Sequence, residues 1–541
     1  MVRRLVAKPA ARKWAGSIVL IVAAAIVVGI AARNANSDDS TASGSDTSLA
    51  GSTAASQAAS SPATEAASAA PTTPPAERCD SEELNGPSEA PANAVKVSKE
   101  ESLADVVAGN RGKTTYWLSP GVHRLGKGPW DQVIPHAGDT FIGAPGAILD
   151  GGNQNRYAFT GQAPNVTISF LTVQNFGAAG QSNNEGVVNH DSAKGWTVDS
   201  STIQKNAGAG VMLSSGSRLT GNCLRDNGQY GFNAYHADGV RDVVLHGNEI
   251  SGNNTDDWEG KKPGCGCTGG GKFWETSGAR ITDNYVHDNR GVGLWADSNN
   301  VGFRFEGNYI AGNDSEGIMY ETSYNAAILN NTLVRNALVK GPTNPGFPAS
   351  AIYLSESGSD TRVEGPYAEA FRVSGNVFVD NWSGIVAWEN ADRFAGSPAN
   401  TSTGVSTLVN PKVATVSACA TKSKIKKKPF FDDCRWKTQN VLVEGNSFEV
   451  DASKIPSCSP TTGCGFNGLF SNYGTYPRWS PYKAEVVEQD ITFKQNNVWR
   501  NNTYSGPWQF IAEETGNTLT WDEWRAGPYN QDTASSMNGS R

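Results

Sequence analysis

Residues 293–323, GLWADSNNVGFRFEGNYIAGNDSEGIMYETS, carry one phrase twice. Gly293-Leu294-Trp295-Ala296-Asp297 is answered twenty-four residues later by Gly317-Ile318-Met319-Tyr320-Glu321. Between them stands a second phrase, Phe305-Glu-Gly-Asn308-Tyr-Ile310-Ala-Gly-Asn313: apolar, two residues, Asn, one residue, apolar, two residues, Asn. It recurs around Asn222 and Asn227, Asn248 and Asn253, and Asn284 and Asn289. Further copies centre on Asn331, Asn376, Asn446 and Asn496, the Asn446 copy lacking its second Asn. The tightest intervals are 26, 24 and 23 residues (222 to 248, 284 to 308, 308 to 331), and the 36 from 248 to 284 contains an inserted Gly/Cys loop.

Each unit holds short alternating apolar stretches separated by Gly, Asn and Asp, the signature of strands and tight turns. No amphipathic helix lies between the strands, which disfavours βαβ folds. A period in the low twenties with three short strands per turn predicts a solenoid whose coils stack as parallel sheets, all-β in class. The periodic Asn is read as an inward turn residue bonding to its counterpart in the next coil, since identical side chains stacked at strand spacing form such ladders.

On these repeats the chain resembles the right-handed parallel β-helix proteins of the pectate-lyase-like superfamily. It is especially similar to exported bacterial members carrying GLWxD…N…N…GIxxExS, matched by Gly293–Asp297 and Gly317–Ser323. The likeness covers about residues 95–525, including TTYWLSPGVHRL, FIGAPGAILDGG and the closing TWDEWRAGPYNQD. It implies a right-handed parallel β-helix of roughly ten to twelve coils, on the order of 50 Å long. The reaction is left open, because that superfamily includes lyases, hydrolases, epimerases and plain adhesins. Solenoid ends need caps; SLADVV at 102–107 is expected to form one and the Trp521-to-Pro528 tail the other.

Not all 541 residues belong to that solenoid. Residues 1–14 are basic, with Arg3, Arg4, Lys8, Arg12 and Lys13. Residues 15–32, AGSIVLIVAAAIVVGIAA, form an uncharged apolar run just long enough to span a bilayer. The positive flank predicts a cytoplasmic N-terminus and an exported remainder, a single-pass membrane partner; a cleaved signal peptide is the competing reading. Residues 33–78, rich in Ser, Ala, Thr and Pro, read as a disordered linker, leaving 79–541 as the β-helix domain with an insertion at 390–437. All eight cysteines, from Cys79 to Cys464, lie beyond the linker, which favours disulfides over a metal site at Cys265-Gly266-Cys267. Cys458 with Cys464 and Cys419 with Cys434 are the natural local pairs. A net charge of −8 argues against a nucleic-acid partner.

The Gly phrase places the candidate chemistry. Its first and third residues after Gly should face inward and its second and fourth outward. The fourth position holds His190, Ser214, Tyr235, Asp297 and Glu321. GKFWE at Gly271 would add Glu275 to this column with Lys272 turned inward. A slide of one residue would put Thr276 there instead, and the sequence leaves that register open. Asp297 and Glu321 should therefore stack on neighbouring coils with backbones about 4.8 Å apart, so that one pKa rises. Such a pair suits acid/base work and the spacing of a retaining glycosidase. It equally suits a hard cation, and the resemblance implies calcium, which lyases of that superfamily often hold on stacked acids.

Trp295 faces outward as a platform for a sugar ring, with Trp274 one coil earlier and Tyr353 and Trp388 beyond. Lys272, His236 and Arg290 are candidates for a base or a carboxylate clamp, since β-elimination at a uronate needs a neutral base. Glu275 is a further substrate contact, and Glu356 and Glu389 stand at the rim. The basic run KSKIKKK, Lys422–Lys428, lies in the insertion and suits a polyanionic glycan or a merely solvated loop. The sequence thus points to an exported protein that cleaves an extracellular polysaccharide, by β-elimination or by hydrolysis. A non-catalytic glycan- or wall-binding solenoid is the alternative.

Overall fold

The computed structural model describes residues 69–177, 186–267, 269–344, 347–363, 369–400 and 408–538. The basic segment, the apolar run 15–32 and linker residues 33–68 lie outside the described residues; among the described residues no helix is long and apolar enough to cross a membrane.

From residue 197 onward each coil lays down three short strands, as in Arg218–Thr220, Cys223–Arg225 and Tyr230–Ala234, and the described coils before it lack the third. Among the described residues, corresponding strands pair in parallel into two sheets of thirteen strands and one of ten, the last of which ends in the antiparallel strand Thr518–Leu519. Thirteen rungs exceed the expected ten to twelve. The Asn phrase begins only at the sixth rung, and early strands such as Thr140–Gly143 and Thr167–Ser169 carry no such marker. One apolar core runs the length of the solenoid, with fully buried residues stacked coil on coil: Val198, Leu219, Leu245, Ile281, Phe305 and Ile328 in one sheet.

The asparagines form two ladders at the turns flanking one sheet. In the first, the Nδ2 group of Asn222, Asn248, Asn284, Asn308 and Asn331 each donates to Oδ1 of the next Asn at 2.8–2.9 Å. In the second, Asn227, Asn253, Asn289 and Asn313 do the same at 2.9–3.0 Å. Each buried amide also takes the backbone N–H of the residue at the same turn of the preceding coil, as Asn308 Oδ1 does from Asn284 at 3.0 Å and Asn222 Oδ1 from Ser201 at 2.9 Å. Turn backbone that no sheet can satisfy is thereby satisfied by side chains.

Asn496, expected in the first ladder, is not in it. Asn446 donates instead to Asn502 at 3.1 Å, while Asn496 is exposed and reaches only Asn440. The apolar residue that starts the sequence phrase, Phe493, belongs to the helical segment Asp490–Lys494 rather than to a strand. The strand is Val498–Arg500, so the coil's turn comes six residues later.

Both caps form. Helix Leu103–Gly109 buries Leu103 and Val107 over the first coils. Helix Trp521–Arg525, closed by a Thr520/Glu523 capping box, buries Trp524 flat against Phe510 at 5.1 Å. Cys419–Cys434 and Cys458–Cys464 pair as read, and Cys79–Cys223 and Cys265–Cys267 complete four disulfides with no free cysteine. The residues entering the domain are pinned to two neighbouring coils: Arg78 and Cys79 donate backbone N–H groups to Glu249 at 2.6 and 2.8 Å, and Asp80 pairs with Arg225 at 2.6 Å. Four disulfides suit an oxidising, extracytoplasmic compartment.

Candidate functional site

The site lies on the outer face of the ten-stranded sheet. In Val292–Asp297 and Ile318–Glu321 the alternation holds: Leu294, Ala296, Ile318 and Tyr320 are fully buried, whereas Trp295, Asp297, Met319 and Glu321 point outward. Asp297 pairs in register with Glu321, and Trp295 with Met319.

The coil before them resolves the open register. Lys272 pairs with Trp295 and Phe273 with Ala296, so Lys272 points outward and Trp274, rather than Glu275 or Thr276, continues the acid column. The phrase in this coil opens at Gly270. Gly271 takes the first inward position because the Phe232 ring already fills it; a Cβ there would lie 2.0 Å from that ring. Glu275 falls one residue past the column, in the turn at φ +43°, where burial alone raises its pKa.

A dense charge cluster results. Lys272, only 3% exposed, puts its ammonium 2.7 Å from Asp297 Oδ2. The same Nζ stands 3.9 Å from the Trp295 ring centroid and 4.7 Å from that of Trp274. Trp295 Nε1 donates to Glu321 Oε2 at 2.9 Å. On the other side Arg393 Nη1 reaches Glu356 Oε2 at 2.9 Å and Glu321 Oε1 at 3.5 Å. Burial pushes the Glu321 carboxyl up to about 7; the charges of Asp297 and Glu356 add to that, and Arg393 and Lys272 oppose it. Glu356 is raised as well, again chiefly by burial. Replacing Trp295 by Phe removes a donor that favours the ionised carboxylate, so the Glu321 titration is expected to move up by about one unit. Carboxyl-carbon NMR against pH would record it, and an unmoved or lowered midpoint would refute it.

The remaining sequence candidates lie elsewhere or are covered. His236 pairs with Asp238, accepting its backbone N–H at 3.1 Å, and stands beyond Tyr235, two coils before Asp297. Arg290 sits before the opposite end of the Asp297 strand and pairs with Asp257 of the inserted loop at 2.9 Å. Tyr353 does pair with Met319 beside Glu321, yet it is 7% exposed in an apolar cluster with Trp388, and Phe347 packs over both. Glu389 is fully buried in an ion pair with Arg435. The lysines of Lys422–Lys428 are exposed around a buried Ile425. Arg393 joins the site from the insertion, seventy-two residues from Glu321, and no local sequence pattern marks it.

Calcium takes six to eight oxygen ligands. The position it would take on the stacked acids is occupied by the Lys272 ammonium, and the Arg393 guanidinium neutralises the far side. Among the described residues no three acidic, His or Cys side chains group as a metal site. These residues do not fit calcium.

Residues 185–397 match the family described as right-handed beta helix region. No curated protein matches the sequence. Solved structures resembling the chain include the A-module of an Azotobacter vinelandii mannuronan C-5 epimerase, 16% identical over 53% of this chain and 86% of that one, with a TM-score of 0.34. The catalytic domain of a GH87 alpha-1,3-glucanase is 12% identical over 84% of this chain and 68% of its own, with a TM-score of 0.45. PfbA, a surface adhesin of Streptococcus pneumoniae, is 10% identical over 55% and 88%, with a TM-score of 0.36. In sequence and in structure alike, this chain carries a right-handed β-helix region.

Proposed function

We propose that this protein is an exported, membrane-tethered glycan hydrolase, with Asp297 and Glu321 as its catalytic pair. One observation carries the reading. Glu321 is a buried carboxyl pushed up to about 7, in register with Asp297, whose charge is matched by Lys272. With its pKa raised by burial, Glu321 can keep a proton near neutral pH and give it to a glycosidic oxygen, while the Asp297 carboxylate serves as nucleophile or as base for water. Trp295 and Trp274 each turn one indole face to the Lys272 ammonium, and their remaining exposed parts are left for contact with a sugar ring; Arg393 holds Glu321 from the other side.

Elimination is less well supported. It needs a neutral base, whereas every contact of Lys272 is one a protonated amine makes: a carboxylate, a carbonyl and two indole faces. Incubating the full-length protein with acidic and neutral polysaccharides separates the readings. New reducing ends without the ultraviolet absorbance of unsaturated uronates are expected. Both signals together would establish a lyase, and glycan capture without either would establish a binding solenoid.

A further inference from the structure

The inserted loop before Gly269 does more than lengthen its coil. Its tip, Cys265-Gly266-Cys267, is closed by a disulfide between cysteines two residues apart. The Gly266 carbonyl held in that small ring accepts from Lys272 Nζ at 2.6 Å and from the buried Tyr230 hydroxyl at 3.3 Å. Gly266 has φ +55°, and a Cβ on it would lie 2.9 Å from the Trp295 indole and 3.7 Å from Lys272 Nζ. Only glycine lets the backbone come this close. The loop tip therefore roofs the lysine: Asp297 beside it, Trp295 and Trp274 facing it, and the Gly266 carbonyl above.

We propose that the Cys265–Cys267 disulfide is a positioning device, a clasp that fixes the Gly266 carbonyl as second acceptor for Lys272 and so holds the ammonium against Asp297. The assignment rests on the hydrolase reading for its catalytic consequence, but not for its geometry. A lysine side chain carries several rotatable bonds, and one acceptor leaves it free to swing. Two fixed acceptors and two indole faces select one conformer. With the clasp open, Lys272 samples solvent, Asp297 loses its counter-charge, and the Glu321 proton is held more tightly because the neighbouring negative charge is unscreened. Ordinary stabilisation by a disulfide does not account for this site, since a three-residue loop removes little entropy from the unfolded chain.

The test is the acetylation rate of individual lysines, read by mass spectrometry on the full-length protein. Lys272 is expected to be protected in the parent and to react at least about tenfold faster in Cys265→Ser/Cys267→Ser. Gly266→Ala, which keeps the disulfide but forces the tip off Trp295, should do the same. Cys458→Ser/Cys464→Ser should leave Lys272 protected. Protection surviving in both clasp variants overturns the proposal, as does equal exposure in the Cys458/Cys464 control, which would mean general loosening. On a glycan that the parent turns over, the clasp variants should lower kcat more than they raise KM. They should also move the alkaline limb of the pH profile up by about one unit. An exposed Lys272 with kcat and limb unchanged refutes the positioning role. Absence of turnover in the parent counts against the hydrolase reading alone, because the acetylation result stands without it.

Discussion

Glu321→Gln is expected to lower turnover by about 10²–10⁴-fold, the usual contribution of a general acid, with glycan affinity nearly unchanged. Gln keeps the shape and still accepts from Trp295 Nε1, which donates to Glu321 at 2.9 Å in the parent, but it has no proton to give. The pH profile supplies the second half of the result. A carboxyl titrating at about 7 must be protonated to act, so the parent's rate should fall about tenfold per unit above that value. Any residual rate of Glu321→Gln should lack that limb. Equal turnover by the two proteins would remove Glu321 from catalysis.

The same substitution has a stability signature of predictable sign. The Glu321 pKa is raised from 4.5 unfolded to about 7 folded, so the unfolded chain gives up its proton first as pH rises. The favourable contribution is complete below pH 4.5 and is lost by about pH 7. The loss is on the order of 3 kcal/mol. Glu321→Gln should therefore match the parent at pH 4 and exceed it at pH 8 in thermal unfolding. A carboxylate kept where folding disfavours it is a common mark of function.

The second large effect is structural. Asn308→Ala is expected to destabilise the solenoid by about 3–5 kcal/mol. Asn308 is fully buried; its Nδ2 donates to Asn331 Oδ1 at 2.8 Å and to the Ile281 carbonyl at 2.9 Å. Its Oδ1 accepts both the backbone and side-chain N–H groups of Asn284. Truncation strands these partners where water does not reach, and each unsatisfied buried group costs about 1–3 kcal/mol. Asn496→Ala, at an exposed position outside the ladder, should cost no more than about 0.5 kcal/mol. Denaturant midpoints of the two variants provide the check, and similar values would mean the ladder contributes little.

The sequence by itself determined the solenoid, the inward asparagines and the outward stack of Asp297 on Glu321. Strand alternation and a twenty-four-residue repeat are local properties, and a regular repeat carries one coil's orientation into the next. Its reach ended where the repeat is interrupted. The 36-residue coil before Asn284 takes its register from the Phe232 ring filling the place above Gly271, which turned Lys272 outward and set Glu275 aside. The helical segment at 490–494 displaced Asn496 in favour of Asn502. Only the tertiary structure decided the electrostatics of the pair. Arg393 arrives from an insertion, Gly266 from a disulfide-closed loop, and Phe347 covers Tyr353 and Trp388. None of these follows from spacing, because insertions fold back by packing and charge rather than by the period of the coils, and the proton on Glu321 depends on what they bury.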